Sequence, residues 1–144
     1  MILGKEFNWY LKIIQTTFLI VGGWVIFFGF IGKIPLVGWA FNLMILPVTW
    51  LLKLGGAGYV GYQTVKKHKG TTLQALVSGG IFGTLIGLFS MIISLSKILL
   101  RPSLLGLFLG TFDLLSVIFS EALTGLVFGF TGGILAGSPA EKKK

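Results

Sequence analysis

The sequence predicts an all-α, polytopic helical membrane protein with about four transmembrane helices, and three observations carry that prediction. Only 11% of the 144 residues are charged, where soluble domains average about 25%. Mean hydropathy is +0.94. Uncharged runs cover Ile13 to Gly32, Ile34 to Leu52, Gly70 to Ser96 and Ala122 to Ala140, or 20, 19, 27 and 19 residues, and a spanning helix needs about 20. At 15.6 kDa the chain has room for a single membrane domain over 1–144 and none for a separate soluble catalytic domain.

The first helix is expected at about 9–32. Trp9, Tyr10 and Lys12 at its start are the mixture that suits a membrane–water boundary, and Lys33 and Pro35 end it. No small-residue cleavage site follows the apolar stretch, so it reads as a retained helix. The second helix, about 38–62, has Trp39 at one end, Tyr59 and Tyr62 at the other, and Pro47 inside, where the missing backbone donor favours a kink. Lys66, Lys67, His68, Lys69 and Gly70 form a hydrophilic loop before the third helix, about 72–96.

Two readings fit the last third. Ser103 to Gly137 is 35 residues, longer than the hydrocarbon thickness at about 1.5 Å per residue. Ser120 is a good N-cap and Glu121 a good first-turn acid. A break there makes 104–118 an interfacial or re-entrant helix and 120–137 a short span. The rival is one long tilted helix. Residues 138–144 form a basic tail.

Charge sets the expected orientation. With four spans, Lys5, Lys12, Lys66, Lys67, Lys69 and Lys142 to Lys144 share one side, and Lys33, Lys97 and Arg101 the other. Eight basic residues against three put both termini in the cytoplasm. The same interrupted placement argues against nucleic acid as partner despite the net charge of +8, because a nucleic-acid footprint is a continuous basic stripe.

Glycine spacing is the strongest motif. Ala75, Gly79, Gly83 and Gly87 recur at intervals of four residues, as do Gly125, Gly129, Gly133 and Gly137. Small residues at that interval cut a groove along one helix face into which another backbone fits. This glycine-zipper packing can join the third and fourth helices within the chain, or serve another membrane subunit. On a helical wheel Ser90, Ser94, Lys97 and Arg101 share the side of the first tetrad, while Asp113, Ser116, Ser120, Thr124 and Thr131 form a polar arc opposite the second. The arc either lines a hydrated path or bonds back to its own carbonyls.

Glu121 and Lys53 are ionisable groups inside apolar segments. A carboxylate there is costly enough to suggest proton or cation handling, with helix initiation as the competing role for Glu121. Lys53 is expected to snorkel towards the cytoplasmic boundary, with an ion pair to Glu121 as the alternative.

Other chemistries find no residues. There is no cysteine for a disulfide or thiol catalysis, the one histidine sits among lysines, and neither a phosphate-binding loop nor a Ser/His/Asp set is present. No catalytic, cofactor-binding or metal site is therefore expected. In its glycine-rich helices and membrane carboxylate the chain resembles rotary-ATPase ring subunits, from which it departs in having more than a two-helix hairpin and a longer glycine interval. In its lysine tail and multi-span layout it resembles phage holins. The expected function is a non-enzymatic structural or accessory subunit in a membrane complex; the alternatives are a small ion or proton channel or transporter using Glu121 and the polar arc, and a holin-like membrane-permeabilising protein.

Overall fold

The computed structural model describes residues 1–31, 34, 37–99 and 104–137, leaving aside the side chains of 37–42, 96–99 and 104–109. These residues form four helices: α1, Phe7–Ile31; α2, Val37–Lys66; α3, Thr72–Leu99; and α4, Leu104–Ala136. Each contains a segment long and apolar enough to cross a membrane: Phe7–Ile31, Leu43–Lys66, Thr72–Leu95 and Gly110–Ala136. The chain is an all-helical, multi-pass membrane protein by this measure. Large apolar side chains including Leu19, Phe27, Met44, Leu51, Phe112 and Leu135 point outward, the arrangement a lipid solvent favours and water does not. Lys33, Pro35, Arg101 and the terminal lysines lie outside the described residues, as does the side chain of Lys97.

One correction concerns the last third. α4 continues unbroken through Phe119 and Ser120, so 104–118 is not a separate helix, Ser120 is not an N-cap and Glu121 does not begin a helix. The glycines that follow give the reason. They bind α4 to α2 and α3 over its second half, and no proline interrupts the helix before them.

Tertiary bonds gather at the end bearing the α2–α3 loop, here termed the turn end. Thr71 and Gln74 cap α3 reciprocally: the Gln74 backbone N–H donates to Thr71 Oγ1 at 3.2 Å, and the Thr71 N–H donates to Gln74 Oε1 at 3.0 Å. Gln74 Nε2 also donates to the Leu3 carbonyl at 2.9 Å. Leu3 and Gly4, with φ of 47° and 77°, are the central pair of a tight turn closed by two backbone bonds between Ile2 and Lys5. Tyr10, expected at a wet boundary, is instead completely buried and donates its hydroxyl to the Ile2 carbonyl.

α2 and α3 occupy the middle of the bundle; α1 and α4 each pack on both of them, and among the described residues their backbones do not approach each other. Tyr10, Ile14, Val21, Val60, Phe82 and Ile86 form the core between α1, α2 and α3. α4 is joined differently. A Cβ at Gly79 would lie 2.2 Å from the Gly125 carbonyl oxygen, one at Gly83 would lie 2.1 Å from that of Glu121, and one at Gly61 of α2 would lie 1.9 Å from that of Gly129. Backbone therefore rests on backbone along both seams. Gly137 takes no part: with φ of 72° and open space around it, it ends α4 in the left-handed conformation that glycine favours.

Candidate functional site

Lys53 and Glu121 face each other in the middle of the bundle. Lys53 stands near the midpoint of the Leu43–Lys66 span, and Glu121 near that of Gly110–Ala136. The Lys53 ammonium donates to Glu121 Oε1 in an ion pair and to Ser90 Oγ at 3.3 Å, so one cation touches both α3 and α4. Side-chain exposure is 16% for Lys53 and 19% for Glu121, which keeps both largely away from solvent. A lone charge at the bilayer centre costs about 2.5–3.5 kcal/mol on insertion scales. Pairing removes most of the reason for either to leave. Lys53 accordingly does not snorkel to the boundary beside Lys66; its ammonium is held inside.

The glycines set this geometry. Gly83 and Gly87 let α4 approach so closely that the Glu121 carbonyl rests on Gly83, while the Glu121 Cβ is 3.3 Å from where a Gly87 Cβ would be. A larger residue at either position moves the carboxylate away from Lys53.

Two spaces meet at Lys53. A cavity of about 320 Å³ lies in the half of the bundle away from the turn end, walled by Phe28 and Gly29 of α1, Leu46, Thr49 and Trp50 of α2, and Ile93 and Ser94 of α3, with Lys53 and Ser90 at its inner end. Thr49 Oγ1 is engaged there as acceptor from Trp24 Nε1 at 3.1 Å. The other is a void of about 10 Å³ bounded by Ala57, Gly83, Glu121 and Thr124, room for one water at most. Lys53 alone borders both. Beyond them towards the turn end the packed core around Phe82 and Val60 closes the bundle.

Of the polar residues expected to work together, the structure brings Lys53, Glu121 and Thr124 to one place and leaves the others out. Asp113, Ser116 and Ser120 are exposed on the outer face of α4, where Ser116 Oγ donates to the Asp113 carbonyl. Thr131 is also exposed and donates to the Val127 carbonyl. The arc is therefore not the wall of a path through this bundle. Ala75, Gly79, Gly83, Gly87, Gly125, Gly129 and Gly133 all stand at the α3–α4 seam. Sequence reasoning missed Gly58, Gly61 and Gly132, which form the α2–α4 seam; no spacing marks this seam, because Gly58 and Gly61 lie within a stretch rich in small residues. It also missed Ser90 as a partner of Lys53.

Among the described residues no cluster of three potential metal ligands occurs, and every buried side-chain polar atom has a hydrogen-bond partner. His68 lies in the α2–α3 turn with its ring edge-on to Trp9. Burial first, and then Lys67 and Lys12, hold its imidazole below the ordinary value of 6.5.

These features define a class: a four-helix, membrane-spanning bundle with one intramembrane ion pair among its described residues. No family model matches the chain, and neither does any curated protein or solved structure.

Proposed function

We propose that the protein is a non-enzymatic small transporter or channel in which the Lys53–Glu121 pair handles an ion or proton at mid-membrane. The observation that supports this reading is the position of the pair: two ionisable groups at the middle of two spans, Lys53 at the inner end of a cavity with Glu121 behind it, closed off from the opposite end by packed side chains. A pair serving structure alone needs no such cavity beside it. In this reading the turn end, with Lys5, Lys12, Lys66, Lys67 and Lys69, faces the cytoplasm, and the cavity faces the other side.

The test is flux through purified protein in liposomes. Glu121→Gln keeps the side-chain shape and cannot titrate, so proton or cation flux is expected to vanish while the chain still folds. Absence of flux in wild-type protein overturns the reading.

An accessory-subunit role is the second reading. Its glycine-zipper basis is weakened because the α3 and α4 grooves are filled by one another and by α2. What supports it instead is the outer face of α4, where Asp113, Ser116 and Ser120 are exposed between Phe112, Leu115 and Phe119. A partner helix satisfies such a face better than lipid does. Recovery of a larger complex after mild-detergent extraction favours this reading; a lone monomer removes it. For a holin-like role the polar face of α4 is short, and toxicity on expression is the measurement that would favour it.

A further inference from the structure

We infer that the cavity binds a small organic anion at Lys53 in place of Glu121, and that Glu121 takes up a proton as it is released. This rests on the reading of the pair as an ion-handling site and gives it a substrate class.

The order of groups along the cavity carries the inference. A molecule entering it meets the ammonium of Lys53 with the hydroxyls of Ser90 and Ser94 nearby, whereas the Glu121 carboxylate lies behind Lys53 and does not border the cavity. The group presented is a cation with hydrogen-bond donors, so the complementary ligand is an anion. Phe28, Leu46 and Ile93 make much of the remaining wall apolar, which suits an apolar body behind the anionic group. About 320 Å³ is at the small end of ligand pockets, which start at about 300 Å³. A ring-sized carboxylate or sulfonate fits these limits.

Charge balance supplies the proton. With Lys53 and Glu121 paired the site is neutral. An anion that takes over the ammonium breaks one ion pair, forms another, and leaves the Glu121 carboxylate uncompensated near the bilayer centre. One proton from water, added to a carboxylate oxygen, restores neutrality; no covalent bond between heavy atoms changes. The surroundings offer nothing else. From α2 Glu121 faces Lys53, from α3 it faces Gly83, Ile86 and Gly87, and among the described residues the backbone of α1 does not approach α4. On its own helix Asp113 is two turns away and exposed. Anion and proton are thus bound together.

Calorimetric titration of the detergent-purified chain with benzenesulfonate, an anion that cannot itself take up a proton in this range, tests the inference between pH 6 and 8. Wild-type protein is expected to bind it about tenfold more tightly for each unit of acidification, as one linked proton requires. Glu121→Gln should bind it with no pH dependence, and Lys53→Met should not bind it. Proton uptake by wild type in weakly buffered solution, near one per anion, gives the answer without any variant. Binding no tighter than that of neutral benzamide, or binding without proton uptake, overturns the inference. Because binding is measured without flux, the two readings fail separately: binding without transport in liposomes defeats only the transport reading, and transport without binding defeats only this one.

Discussion

At the scale of single residues, the two charged side chains in the middle of the bundle are both marked in the sequence. Each is visible as a charge in an apolar run, because the bilayer penalises it. Their meeting stands in the sequence only as the alternative to a snorkelling Lys53, since it depends on the register of helices whose contacting residues are 68 positions apart. Glu121 was also compatible with a helix start, and only the continuity of α4 removes that role. His68 offers a separate residue-scale test. Its depressed imidazole means that the fold favours the neutral ring, so its contribution is complete above 6.5 and is lost as pH falls from there through the folded-state value. Melting temperature in detergent is expected to drop between pH 7 and pH 5 in wild type and to drop less in His68→Gln. Parallel curves for the two proteins would exclude His68 as the sensor.

At the scale of elements, what matters about a glycine is what faces it. Gly79 faces the Gly125 carbonyl, part of a backbone that cannot rotate away, whereas Gly23 and Gly55 face open space. Gly79→Ala should therefore force α3 and α4 apart at about 1–3 kcal/mol, the usual range for overpacking. Gly55→Ala and Gly23→Ala should instead be neutral or stabilising by up to about 1 kcal/mol through helix propensity. Thermal unfolding in detergent distinguishes them, and equal melting points for all three would sink the argument. Gly4, although outside every helix and facing open space, should not tolerate substitution as Gly23 and Gly55 do, because its φ of 77° strains any side chain placed there. The interval of four residues made the α3 and α4 faces legible in the sequence. Gly58 and Gly61 were hidden in a patch with Gly55, Gly56 and Ala57, where small residues point in every direction and spacing selects no face.

At the scale of the whole molecule, the number of helices was legible because uncharged run length and bilayer thickness nearly coincide. The layout, with α1 and α4 on opposite sides of the α2–α3 pair, was not legible: hydrophobic periodicity marks poorly which faces meet when lipid and core are equally apolar. Because Gln74 holds the Leu3 carbonyl and Gly133 adjoins Ala75, the described N-terminus, the α2–α3 loop and the end of α4 share one end. Reporter fusions at residue 1, within 66–69 and at residue 144 should thus all report the same compartment, and by the lysine excess the expected compartment is the cytoplasm. A discordant signal from the loop contradicts the bundle. The ion pair also imposes an order on biosynthesis. Lys53 leaves the ribosome 68 residues before Glu121, an interval of roughly 3–14 seconds at about 5–20 residues per second. Throughout that interval the nascent α2 carries a cation without its counter-charge, and the glycine faces of α2 and α3 lack the helix that covers them. Until the last helix arrives α2 therefore bears the cost of an unpaired charge in the bilayer, and a chain truncated before residue 104 carries that cost permanently.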